Sequence, residues 1–205
     1  PPCRSRPRPA PTRTGRRLRT SLSICALAAL LHPQAGLGQT GGAPTATAQR
    51  SGQHDFDFEF GKWKTQLKRR LHPLTGSDEW VEYAGTSVIT KIWGGRANMV
   101  ELDVEGPAGR IEGASWRLYN PDTGQWSLNF ANSRSGTLTS PVYGRFENGR
   151  GMFYGTDTLG GRTILVRFVI SGISADTAHF EQAYSDDGGE SWETNWIADD
   201  TRIRE

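Results

Sequence analysis

Residues 180–196 read FEQAYSDDGGESWETNW, and the fold follows from them. Two strand-like arms flank Asp186-Asp187-Gly188-Gly189, where paired glycines supply the backbone freedom needed to reverse the chain. This is a β-hairpin, and the segments before it repeat the pattern.

Upstream, runs of apolar and β-branched residues alternate with turn residues. Residues 63–71 lead to the turn His72-Pro73-Leu74-Thr75-Gly76. Segments 80–83 and 86–93 follow, the second β-branched along Val88, Ile89, Thr90 and Ile92. Residues 100–105 alternate strictly, Val100, Leu102 and Val104 against Glu101, Asp103 and Glu105, as in a strand with one face in water. Residues 111–119 and 126–132 flank the turn Asn120-Pro121-Asp122-Thr123-Gly124, and Asn148-Gly149 joins 143–147 to 152–156 as a hairpin. Residues 163–170 are the most apolar run. About ten strands at this spacing, joined by short turns and without sustained helical periodicity, predict an all-β single antiparallel up-and-down β-barrel. Closure removes the exposed strand edges that a sheet would otherwise present. Before the first strand, DFDFEF at 55–60 sets Phe56, Phe58 and Phe60 on one face of a strand or of a short helical lead-in.

Composition agrees. Among 205 residues are 25 Gly, 7 Trp, 8 Phe and 5 Tyr, so aromatics joined by tight turns supply the buried area of a chain only 35% hydrophobic. The formal net charge of +2 conceals segregation. Residues 1–50 carry eight Arg and no acid, which leaves 16 basic against 22 acidic residues beyond, a net of −6. An acidic domain without a basic face argues against a nucleic-acid partner. Both cysteines, Cys3 and Cys25, precede the domain, so it has no disulfide framework, cysteine metal site or thiol nucleophile. No cofactor is expected.

The N-terminal part carries Arg13 to Arg19 (RTGRRLR), an apolar run LSICALAALL at 22–31, and small polar residues after it. These are the parts of an export signal, general secretory or twin-arginine through Arg16-Arg17. The apolar run falls short of the roughly 20 residues that span a bilayer. The expected organisation is an export or disordered leader at 1–37, a linker at 38–53 and a barrel at 54–205, placed in the periplasm or secreted, with no membrane role for the barrel.

Ser185, Asp187, Gly189 and Trp192 fit S-x-D-x-G-x-x-W, which resembles the Asp-box turn of sialidase propellers. In that turn the Asp accepts backbone N–H groups and the Trp packs beneath. A propeller repeats the motif in each blade, whereas this chain holds one copy. The wider set of motifs comprises Phe58-x-x-Gly61-x-Trp63, YNPDTGQW at 119–126 and the closing hairpin. Together they resemble a group of bacterial calycin-like proteins of unassigned function, related to lipocalins and fatty-acid-binding proteins, with nitrobindins as a more distant likeness. That resemblance implies a ligand-holding barrel. For nitrobindin-like haem binding it implies a proximal His, and His179 is the one His beyond Pro73.

Barrel interiors hold small ligands in mostly apolar pockets with a few converging polar groups. The candidate ligand-binding residues are Arg117, Tyr119, Trp126, Tyr154, Arg167, Glu181, Asn195 and Trp196. Tyr119 shares a strand face with Arg117, and Tyr143 with Arg145. Arg167 interrupts an apolar strand, and Glu181 on the next strand is a candidate bidentate partner for it. A structural tie or an outward-facing pair is the commoner fate of strand Arg and Glu. Trp126, Trp192 and Trp196 are expected in the barrel core. Three functions follow: an exported barrel binding an apolar or amphipathic small molecule; an isomerase, cyclase or hydrolase using Glu181 or Asp157 as base beside Tyr154 or Arg167; or haem binding through His179. No nucleophile motif, metal-spaced His pair or phosphate loop is written in the chain.

Overall fold

A computed structural model describes residues 51–204. The expected leader and most of the expected linker lie outside the described residues. Two short 3₁₀ turns, Gly52–His54 and Asp57–Glu59, precede ten strands: β1 (Gly61–Arg70), β2 (Trp80–Ile92), β3 (Ala97–Gly106), β4 (Gly109–Asn120), β5 (Gln125–Asn132), β6 (Val142–Glu147), β7 (Arg150–Leu159), β8 (Arg162–Ser171), β9 (Thr177–Ser185) and β10 (Glu193–Arg202). Each pairs antiparallel with its neighbours in sequence, and β1 pairs with β10, so the sheet closes as an up-and-down barrel. DFDFEF takes the helical lead-in alternative.

Segments 80–83 and 86–93 form one continuous strand up to Ile92, after which Trp93 opens a 3₁₀ turn. Gly85 explains why: a Cβ there would lie 2.0 Å from the Asp103 carbonyl oxygen, so only glycine lets β2 approach β3 this closely with its pairing unbroken. Gly144 on β6 does the same against Met152 of β7.

One end of the barrel is shut by the lead-in. Phe56 is fully buried, edge-on to Trp126 at 4.8 Å and to Phe146 at 5.0 Å between ring centres. Trp63 Nε1 donates to the Glu59 carbonyl, and Trp126 Nε1 donates to the Gly52 carbonyl. Arg202 lies over the Trp63 ring and donates to the carbonyls of Phe58 and Phe60. The backbone groups that a short 3₁₀ segment leaves unpaired are thus met by barrel side chains. At the other end the loop between β1 and β2 leans inward. Leu74, held at φ 60°, donates its backbone N–H to Glu193 Oε1 and packs on the cluster containing Ile164 and Val166.

Candidate functional site

The registers fix which side chains face inward. Thr65 opposes Asp200, Leu67 opposes Ala198 and Arg69 opposes Trp196 across β1 and β10, while Val166, Phe168 and Ile170 oppose Tyr184, Gln182 and Phe180 across β8 and β9. These inward sets bound a cavity of about 310 Å³. Its walls are apolar, with Leu67, Leu102, Phe130, Phe168, Phe180 and Trp196. Its polar groups fall into two tiers.

The deep tier lies against the lead-in. Glu59 and Arg117, 8% and 7% exposed, form a two-pronged ion pair, one prong of which is 3.3 Å. Arg117 also lies over the Phe56 ring, 4.4 Å from its centre. Beside the pair, Thr65 Oγ1 donates to Asp200 Oδ1 at 2.5 Å and is 2.7 Å from Ser87 Oγ. Burial, reinforced by the negative charge of Glu59 and opposed by the Thr65 hydrogen bond, pushes the Asp200 carboxyl up to about 6. Below this tier Asn98, opposite Arg117 in register, is fully buried with no hydrogen-bond partner for its side chain among the described residues. The outer tier, toward the open end, carries Arg69, Asn132, Asp157 and Tyr184. Burial, then the charge of Asp157, raises the Tyr184 phenol.

Of the eight predicted residues, Arg117 and Trp196 line the cavity. Asn195 sits at the register shift between Thr194 and Trp196, buried, and accepts from Gln182 Nε2 at 2.7 Å, so it orients a cavity residue. Tyr119 and Trp126 face inward as expected but serve the closed end: the Tyr119 hydroxyl accepts from the Gly52 N–H, and both rings pack there.

Tyr154, Arg167 and Glu181 require correction. They fall on the outer face, because Phe153, Phe168 and Gln182 hold the inward phase of their strands. Arg167 is opposite Ala183 rather than Glu181, and its guanidinium lies 4.6 Å from the centre of the Trp192 ring. Tyr154, 47% exposed, meets the same ring edge-on. Trp192 is therefore an outer-face residue and not barrel core. It sits beneath the Asp-box turn, in which Asp187 accepts from the hydroxyl and N–H of Ser191 and the hydroxyl of Ser185, bonds that hold its carboxyl well below the usual range. Tyr143 is likewise outward and exposed. Glu181 pairs with His179, whose other ring nitrogen meets Asp199 at 2.7 Å. Desolvation works against the imidazolium, but these two carboxylates outweigh it and the His179 pKa is raised. His179 belongs to the cavity wall, yet both ring nitrogens are engaged by outward carboxylates, so it offers no free axial nitrogen to a haem.

The residues missed from sequence are Thr65, Arg69, Ser87, Phe168, Phe180, Gln182, Tyr184 and Asp200. Two signals bear on four of them, Phe180, Gln182, Tyr184 and Asp200. Phe180, Gln182 and Tyr184 share one phase, and Trp196, Ala198 and Asp200 share another.

No family model matches the chain, and no curated protein matches it by sequence. Solved structures do match by shape. An S-type phycobiliprotein lyase from Guillardia theta superposes with a TM-score of 0.55 at 10% identity, covering 77% of this chain and 95% of the lyase. EF1p2_mFAP2b bound to DFHBI reaches 0.42 at 10% identity over 75% of this chain and 100% of that one. A de novo designed fluorescence-activating β-barrel reaches 0.39 at 12% identity over 72% and 95%. The likeness to the lyase is one of fold.

Proposed function

We propose that this chain is a small-molecule-binding barrel of calycin-like type whose ligand occupies the cavity between the lead-in and the open end. One observation carries the reading: an inward cavity of about 310 Å³ with aromatic and aliphatic walls and a few converging polar groups, the composition of a ligand pocket rather than of a packed core. A solid barrel of this kind would have filled the space with side chains. The ligand is apolar or amphipathic. The basic and apolar residues of the N-terminal segment support export to the periplasm or beyond, tested by fusing residues 1–50 to a reporter active only outside the cytoplasm.

Titration with the neutral dye phenylnaphthylamine tests the cavity. A saturable rise in fluorescence at one dye per barrel is expected. Ala198→Phe, which fills the interior, should weaken it strongly, and the outer-face change Arg167→Gln should not. Equal binding by the two variants, each shown folded by circular dichroism, would refute the reading.

A second reading, an enzyme on a small organic substrate, is favoured by one feature. Asp200, held near pH 6 inside the cavity, is poised for proton transfer in either direction near neutrality. The carboxylate for this role is then Asp200 or Asp157 and not Glu181, which faces out. Substrate turnover that survives in Asp200→Asn and in Asp157→Asn would remove this reading.

A further inference from the structure

We propose that the cavity selects an organic cation, a primary amine on an aromatic or branched apolar body, bound with its ammonium group at Asp200. The inference rests on the binding-barrel reading and adds the polarity and orientation of the ligand.

The deep tier decides the polarity. Its one cation, Arg117, is already spent on Glu59 in a two-pronged pair, so it offers no free charge to a ligand carboxylate. Among the described residues no cation forms an ion pair with Asp200, and Arg117 acts on it only from its place beside Glu59. One of its oxygens takes the Thr65 hydroxyl, and its carboxyl lines the cavity half-buried. The charged groups around it are Glu59 from the lead-in, Arg117 from β4 and Asp199, its outward neighbour on β10. The charged residues lining the cavity are the acids Glu59, Asp157 and Asp200 and the bases Arg69, Arg117 and His179, of which Arg117 is paired with Glu59 and His179 with Glu181 and Asp199. A half-buried carboxylate whose nearest cation is already paired elsewhere is costly, and an ammonium group relieves that cost by pairing and by donating to the free oxygen. A ligand carboxylate brought to the same place adds repulsion. Ser87 beside Thr65 supplies a further hydroxyl acceptor. Above this point Phe168, Phe180 and Trp196 offer ring faces and edges to the apolar body and to the cation.

The test is isothermal calorimetry on the intact chain at neutral pH with three matched probes: naphthylethylamine, naphthylethanol and naphthylacetate. The amine is expected to bind about ten- to a hundredfold more tightly than the carboxylate, the span of a charge-assisted hydrogen bond. Asp200→Asn should abolish that preference, so that the amine no longer binds more tightly than the carboxylate. Asp199→Asn, which removes the same charge one residue away on the outer face, should preserve it. As a measurement independent of any variant, amine binding near pH 6 should release protons, read from the buffer dependence of the heat, and alcohol binding should not. Equal or tighter binding of the carboxylate, or an amine preference that persists in Asp200→Asn, overturns the proposal. If none of the three binds while phenylnaphthylamine does, the cation proposal falls and the cavity reading stands. If the dye fails too, both fall.

Discussion

Replacing Asp200 by Asn should make the protein more stable above neutral pH. In the folded chain burial favours the protonated carboxyl, raising its pKa from the ordinary 3.8 to about 6. A folded value above the unfolded one means that the group's contribution is fully present below about pH 3.8 and is lost as pH rises through 6. At about 1.4 kcal/mol for each tenfold change in proton affinity, the loss reaches about 3 kcal/mol. Water entering the cavity lowers that ceiling. Asparagine keeps an acceptor for the Thr65 hydroxyl and has no charge to desolvate. Urea unfolding of both proteins at constant ionic strength, from about pH 4 to pH 8, gives the difference in stability at each pH. The variant should gain on the wild type steadily between about pH 4 and pH 6 and hold a constant advantage above. Subtracting the two curves removes groups common to both, His179 included. A difference that does not change with pH would refute the burial argument and place Asp200 in contact with bulk water.

Three further outcomes follow from the same geometry. Arg117→Met leaves Glu59 buried without its partner and should cost about 3–5 kcal/mol in chemical denaturation, most of it recovered when Glu59→Leu is added. His179→Gln should remove a contribution that the wild type holds below about pH 6.5 and loses as pH rises through the raised His179 pKa, and an NMR titration of the imidazole reads that pKa directly. Asp187→Ala removes the acceptor of the Ser191 N–H and hydroxyl, so hydrogen exchange at Ser191 should accelerate while dye binding in the cavity is unchanged.

The division between barrel architecture and cavity lining follows from what a strand pattern encodes. The alternation at 100–105 assigns faces by itself, because acids occupy one of them, and Val100, Leu102 and Val104 do face inward. Residues 163–170 offer no such contrast. Leu165, Arg167 and Val169 are as plausible an inward set as Val166, Phe168 and Ile170, and the pairing with β9 is what selects the second. The register shift at Asn195 adds a further break of phase, since an extra residue carries two neighbours out of simple alternation. Tyr119 and Trp126 illustrate another limit. Their inward phase was legible, but their hydrogen bonds run to Gly52, 67 and 74 residues away.

The sequence by itself determined the all-β class, the approximate strand count, the hairpin at 180–196 and its Asp-box, because turn residues and period-two alternation are local and survive without knowledge of the partner strand. The tertiary structure alone decided that Glu59 and Arg117 meet across 58 residues, that Asp200 lies half-buried near them, and that Tyr154, Arg167 and Glu181 face out. Burial and charge pairing between distant strands depend on which residues the closed barrel sets opposite one another, and that register is a property of the whole sheet.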